Sequence, residues 1–296
     1  MDRRPIHPLR SLLFAPANRP DLLVKMVRVP VDACVIDLED GTPAADKEAA
    51  RAVLADNVET MRQEGVRGSI LVRINAPGTP FYEDDLAAAL AAPVDGFVLP
   101  KFEDVAIVQD IVRRANEADA RAAVRIVGGI ETVKGVLNAE NLCSASPVLI
   151  GVYFGSEDLA TEIGAARTED GAEMLYARSK VLLAAKAAGI AAIDQAVTEV
   201  RDDERFRADG QRGRQLGYEG KICLNLRQAE LANEMFAPTD DEVARCEQLV
   251  ATYERAVAAG KGTLAFDGQM IDVPLVERAR ATLALARVIE GLEQNR

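Results

Sequence analysis

Histidine, tryptophan, paired cysteines and net positive charge are all scarce or missing in this chain. The one histidine, His7, precedes every apolar run of strand length. It therefore cannot serve a Ser-His-Asp triad or a two-histidine metal site at strand ends. Chemistry is left to carboxylates, arginine and lysine. Tryptophan is absent and aromatic residues make up 4% of the chain, so the core must be aliphatic and alanine-rich. Cys34, Cys143, Cys223 and Cys246 form no CxxC pair and lie in or beside apolar segments. They read as small buried hydrophobes in a reducing compartment, which excludes a disulfide frame or zinc site. No stretch approaches the ~20 apolar residues of a membrane span. MDRRPIHPLRS at the N-terminus lacks the apolar core of a signal peptide, so the expectation is cytoplasmic. The net charge of −12, with no basic stripe interleaved with aromatics, excludes a nucleic-acid partner. An anionic substrate must then be met by a local group of Arg and Lys.

What the chain does have is a set of apolar runs that stop at charge. CVIDLED (34–40), ILVRIN (70–75), GFVLPK (96–101), VRIVGGIE (124–131) and LIGVYFGSED (149–158) all follow this form. Short apolar runs buried on both faces belong in a parallel sheet. Eight strands are expected: Ser11–Pro16, Ala33–Leu38, Ile70–Ile74, Gly96–Leu99, Val124–Ile130, Val148–Tyr153, Ile190–Ile193 and Ile222–Asn225. Helical spacing fills most of the gaps, as in Asp46–Met61, Glu83–Ala91, Val105–Asn116 and Tyr176–Ala188. Eight alternations in 296 residues, 49% of them hydrophobic, point to a (β/α)8 TIM barrel with a C-terminal helical extension. An open doubly wound sheet would want a glycine fingerprint after the first strand, and FAPANRPD has no glycine. The expected division is a barrel over 1–237 and an extension over 238–296. The extension should hold a helix (Asp240–Ala259), a glycine-rich turn (260–268) and a last helix (Val276–Gly291). Arg201–Gly220 reads as a long polar loop with a short helix; the phosphate-loop pattern fails because Lys221 is followed by Ile.

In a parallel barrel the strand C-termini form the chemical face. Glu131 and Asp158 are expected to end the fifth and sixth strands, as neighbours. Two adjoining carboxylates repel unless a cation sits between them, and Mg²⁺ takes such oxygen ligands while keeping sites for a bidentate substrate. The competing reading makes both segments helix N-caps. Arg73, inside the apolar part of the third strand, needs a carboxylate partner. That partner is a substrate, or Asp37 or Glu39 on the adjacent strand. Asp37, Glu39 and Asp40 are too many acids for capping alone. They are expected to hold Arg73 or metal-bound water from behind, or to cap the helix with Lys47 and Arg51. Lys101 is either charge at the mouth or a solvated lysine. Arg19 and Lys25 flank the first helix and offer basic spots to a phosphate-bearing ligand.

These motifs together resemble the citrate lyase beta-subunit-like and malyl-CoA lyase family of acyl-CoA carbon–carbon lyases. The resemblance runs through RSLLFAPANRPDLLVK (10–25), DACVIDLEDGTPAADKEAAR (32–51), VRIN (72–75), GFVLPK (96–101), GGIETVKGVLNAENL (128–142), FGSEDLATEIG (154–164) and FDGQMIDVP (266–274). It implies a TIM barrel in homotrimers or hexamers, with Glu131 and Asp158 as Mg²⁺ ligands and Arg73 gripping the oxoacid carboxylate. It implies coenzyme A contacts at Phe14, Arg19 and Lys25. It also implies that Asp272, otherwise an unremarked turn residue, is lent to a neighbouring subunit as acid/base. One segment departs from the pattern: where the family usually reads G-[FY]-x-G-K-x-x-I-H-P-x-Q, this chain has GYEGKICLNLRQ (217–228), with Leu224 and Asn225 in place of His-Pro.

The function expected is Mg²⁺-dependent cleavage of a malyl-, citramalyl- or citryl-CoA-like thioester to an acyl-CoA and a short oxoacid. Two alternatives stand beside it: an aldolase acting on free 2-oxo-hydroxy acids, and a non-catalytic binding relative. No membrane partner is expected.

Overall fold

The strands form because aliphatic, β-branched runs can be buried on both faces. In the computed structural model, which describes residues 8–118, 120, 123–259, 264–266 and 269–294, they close into a barrel. The strands are β1 (Ser11–Pro16), β2 (Ala33–Asp37), β3 (Ser69–Arg73), β4 (Gly96–Leu99), β5 (Ile126–Ile130), β6 (Leu149–Phe154), β7 (Ala191–Asp194) and β8 (Gly220–Cys223). Each pairs in parallel with the next, and β8 returns to β1. His7 lies outside the described residues.

Alternate strand residues fill the barrel: Leu12, Ala33, Val35, Leu71, Val98, Val127, Tyr153, Ile193 and Ile222, all buried. This core is aliphatic apart from Tyr153. Register then fixes the rim. Asp37 and Arg73 are paired at the last positions of β2 and β3, and Gly129 sits opposite Tyr153 across β5 and β6. Cys34, Cys143 and Cys223 are buried thiols, and burial pushes the Cys34 thiol up to about 12.

Three elements differ from the sequence expectation. The helix expected over 46–61 is two, Lys47–Ala52 and Leu54–Gln63, broken at Val53. The segment read as a long loop with a short helix is mostly helix, 14 residues over Asp203–Leu216, with the Asp202 side chain accepting from Arg205 N. Its glycines serve contact rather than turning. A Cβ on Gly213 would lie 2.1 Å from Asp194 Oδ2, and one on Gly210 2.5 Å from Met235 Cε. The helix is pressed against a buried cluster in which Arg178 pairs with Asp194 and Asp209, and Lys221 with Asp209. Lys221 is fully buried there, and its ammonium is engaged by Asp209.

The chain divides into two compact units, one ending at Met235 and the other beginning at Phe236. In the second, helix Asp240–Ala258 starts with a capping box between Thr239 and Glu242. An antiparallel hairpin follows, β9 (Leu264–Phe266) and β10 (Gln269–Ile271), where the sequence suggested only a turn. Helix Val273–Gln294 closes the chain, and Leu249, Ile271, Val276 and Ala279 form the unit's own core. Among the described residues no helix is long and apolar enough to cross a membrane.

Candidate active site

Parallel strands deliver their last residues to one rim, and there the expected side chains meet. Arg73 ends β3 with its guanidinium locked from one side. Its Nε and Nη2 donate to the two carboxylate oxygens of Asp37 at 2.7 and 2.6 Å, and Nη1 lies 2.8 Å from Glu39 Oε2. The Phe14 ring, from β1, lies 5.0 Å from the guanidinium carbon, within cation–π distance. Burial disfavours the charge on Arg73, but Asp37 outweighs it and keeps the arginine protonated. Of the five N–H donors of an arginine, these contacts occupy three, leaving one on each terminal nitrogen for a ligand. The structural pair and the ligand grip are thus compatible, since the acids hold the arginine from behind.

The β2 loop is itself pinned. Asp37 accepts from the backbone N–H groups of Glu39 and Gly41 at 2.9 Å each. Buried Lys47 donates to the carbonyls of Leu38 and Glu39. Burial pushes the Glu39 carboxyl up to about 8, against the pull of Arg73 and with help from Asp40, Glu131 and Asp37. Asp40 is exposed and takes no part in the clamp.

Glu131 follows β5 directly and is buried. Both of its donors converge on one oxygen: Lys101 N–H reaches Oε1 at 2.8 Å and the Tyr153 hydroxyl at 3.0 Å. Oε2 faces Gly155, where a Cβ would lie 2.4 Å from it and equally close to Glu131 Cβ. Burial raises the Glu131 pKa, with Asp158 adding to the rise and Lys101 N–H and Arg73 opposing it. The helix-cap alternative for this residue fails, because Thr132 caps the next helix by accepting from Gly135 N at 3.0 Å.

Asp158 departs from its expected place. β6 ends at Phe154, and after Gly155 the chain turns into helix Ser156–Ile163, so Asp158 sits in that helix's first turn. An acid there is favoured by the helix dipole. Its side chain is 43% exposed, with Lys101 Nζ 4.0 Å from Oδ1. Glu131 and Asp158 therefore share Lys101 as a neighbour. Among the described residues no three acids, histidines or cysteines cluster as a ready metal cage. The fit to a hard divalent ion rests on a buried carboxylate whose Oε2 has no donor among the described residues and on a neighbouring exposed carboxylate.

Arg19 and Lys25 stay exposed and flank Asp21, at 2.9 and 3.4 Å. Asp272 is exposed and caps helix Val273–Gln294, accepting from Leu275 N at 3.2 Å. It belongs to the second unit. Asn225, in the segment that departs from the family pattern, donates to Val200 O and accepts from Gln228 N. It ties the loop after β7 to the helix after β8.

Sequence reasoning missed Tyr153, which reads as one more apolar core residue. Its hydroxyl reaches Glu131 only because Gly129 opposite it has no side chain; a Cβ there would lie 2.2 Å from the hydroxyl. The double glycine of GGIE was the available signal.

A closed parallel barrel carrying a clamped arginine and adjoining carboxylates on its strand C-termini defines a TIM-barrel enzyme. This chain belongs to the HpcH/HpaI aldolase/citrate lyase family, whose model matches residues 10–226. It is 42% identical to a citrate lyase subunit beta-like protein of Deinococcus radiodurans, over 93% of this chain and 96% of that one. It is 35% identical to a citrate lyase subunit beta of Leuconostoc mesenteroides subsp. cremoris, over 94% and 93%. A solved structure of the Mycobacterium tuberculosis protein CitE, in complex with magnesium, acetoacetate and coenzyme A, superposes with a TM-score of 0.77. That match has 29% identity and covers 94% of this chain and 97% of that one. The chain is accordingly a carbon–carbon lyase.

Proposed function

We propose that this lyase cleaves a 3-hydroxy-3-carboxy acyl-CoA thioester of the malyl-, citramalyl- or citryl-CoA kind, reversibly, to a short oxoacid and an acyl-CoA. Mg²⁺ is its cofactor, and Glu131 and Asp158 are the residues that would hold it. Bound there, the ion supplies Lewis-acid polarisation of the substrate's carboxylate and hydroxyl oxygens. The observation that carries the reading is the asymmetry of Glu131: among the described residues Oε1 takes both donors, while Oε2 takes none and lies in the space left by the missing side chain of Gly155.

Arg73 grips the substrate carboxylate through its two remaining N–H groups, and the Asp37–Glu39 clamp fixes the angle of that grip. A base takes the hydroxyl proton, the carbon–carbon bond breaks, and its electron pair passes to the thioester as an enolate. The enolate carbon then takes a proton. Asp272 is assigned to that proton transfer, lent by a neighbouring copy of the chain in a trimer or hexamer. Its exposure and its place on a helix cap support this role. Phe14, Arg19 and Lys25 receive coenzyme A, the two cations exchanging their surface ion pairs with Asp21 for its phosphates. Asp37 and Glu39 act through Arg73. The barrel over 1–237 is the catalytic domain and 238–296 the part that completes a neighbour's site.

The test is turnover of an acyl-CoA panel with Mg²⁺, read by mass spectrometry of the oxoacid product. Cleavage that EDTA and Glu131→Gln each abolish is the expected result. Cleavage of free 2-oxo-4-hydroxy acids alone would favour the aldolase reading. Full, EDTA-insensitive activity in Glu131→Gln would overturn the metal assignment.

A further inference from the structure

Lys101, the residue after Pro100 beyond β4, has φ of 46° and is the one non-glycine residue with positive φ among the described residues. A side chain with a Cβ is strained there, and such strain persists only where the surroundings impose it. Here Phe102 imposes it, being buried and donating its N–H to Gly129 O at 2.8 Å. The unusual turn aims the Lys101 N–H at Glu131 Oε1, 2.8 Å away, and brings its ammonium 4.0 Å from Asp158 Oδ1. One residue thus touches both carboxylates, by its backbone on one side and its side chain on the other. Glycine would adopt this backbone without strain and would make the same amide contact. The ammonium is what glycine lacks.

We propose that Lys101 is a positioning residue for the Glu131–Asp158 pair, whose amide holds Glu131 in place and whose ammonium is the resident counter-ion that a divalent cation displaces. The proposal rests on the reading that this pair takes Mg²⁺. The Lys101 side chain is 43% exposed, so it can swing into solvent as the ion arrives. It therefore competes with Mg²⁺ instead of assisting its binding, and removing the ammonium tightens the ion. A solvated lysine with no role would leave Mg²⁺ affinity alone, and a purely structural lysine would change stability without changing affinity in this direction.

The experiment is calorimetric titration of Mg²⁺ alone into the wild type, Lys101→Met, Lys101→Gly and Glu131→Gln. Removing one positive charge near a divalent ion at a half-exposed site should tighten binding by about 3- to 15-fold at low salt. The gain should shrink as added NaCl screens the repulsion. Both variants keep the amide and lose the ammonium, so both should tighten Mg²⁺, and Lys101→Gly, which adopts the φ of 46° without strain, should melt at a higher temperature than Lys101→Met without metal. Wild-type or weaker Mg²⁺ affinity in either folded variant overturns the proposal. Should the wild type bind and Glu131→Gln not bind, only the Lys101 assignment falls with that result. If the wild type takes up no Mg²⁺, the metal reading and this inference fall together.

Discussion

Gly155→Ala perturbs the site by a single methyl group and leaves every charge in place. The backbone at Gly155 has φ −101° and ψ 109°, extended geometry that alanine adopts freely, so the substitution carries no conformational strain. The added Cβ, however, would sit 2.4 Å from both Glu131 Cβ and Glu131 Oε2. Carbon atoms pack best at about 3.5–4.0 Å, so one partner must move by roughly 1 Å. Because one of these contacts is to Glu131 Cβ, the backbone at Glu131 or Gly155 must shift, which draws Oε1 off the Lys101 and Tyr153 donors. Overpacking of this kind costs about 1–3 kcal/mol. Misplacement of a reacting group by about 1 Å can cost 10²-fold in rate. We therefore expect a modest fall in urea midpoint, a loss of about 10²-fold in kcat/KM, and a raised Mg²⁺ requirement for turnover. Wild-type kcat/KM and Mg²⁺ dependence in folded Gly155→Ala would refute the argument that Oε2 is the ligand face.

Asp37→Asn breaks a buried bidentate pair and should cost about 3–5 kcal/mol, read as a lower urea midpoint at unchanged slope. The same change frees Arg73 to tilt, so KM for the thioester should rise more than kcat falls. Glu39 provides a pH test in the metal-free protein: its folded pKa, raised from 4.5 to about 8, favours the proton-bound folded state. Its stabilising contribution is full below about pH 4.5 and is lost as pH rises through about 8, so stability relative to Glu39→Gln should fall over that window. Gly213→Ala should destabilise by about 2 kcal/mol or more, since its Cβ would meet Asp194 Oδ2 at 2.1 Å. An ordinary mid-helix glycine would instead gain about 1 kcal/mol on that change, so the sign of the shift in melting temperature decides.

The barrel was legible because its strands are buried on both faces, leaving short apolar runs that end abruptly at charge. β1 and β4 match their expected bounds, and the others shift by one or two residues at their ends. Arg73 and its two acids were readable from register, since adjacent parallel strands that end in opposite charges pair at the rim. The full extent of helix Asp203–Leu216, expected as a short helix within a loop, was not legible. Gly210 and Gly213 look like loop residues in sequence, and their purpose appears only with the Asp194–Arg178 cluster beside them. Asp158 was misplaced for a related reason: after β6 ends at Phe154 the chain turns at Gly155 directly into helix Ser156–Ile163, so Asp158 falls in a helical turn and not at the strand end. Lys101 read equally as charge at the mouth or as a solvated lysine, because nothing local signals a left-handed backbone at a lysine. The β9–β10 hairpin carries strands of only three residues each, too short to show an alternating pattern.

The proposed chemistry depends on Glu131 and Asp158 gripping one magnesium ion together. A crystal structure of the protein with Mg²⁺ and pyruvate or glyoxylate measures this directly. It should show the ion about 2.0–2.1 Å from Glu131 Oε2 and an Asp158 oxygen, with the oxoacid completing its shell and its carboxylate on Arg73. An ion bound elsewhere, or the two side chains turned apart with the oxoacid in place, would contradict it.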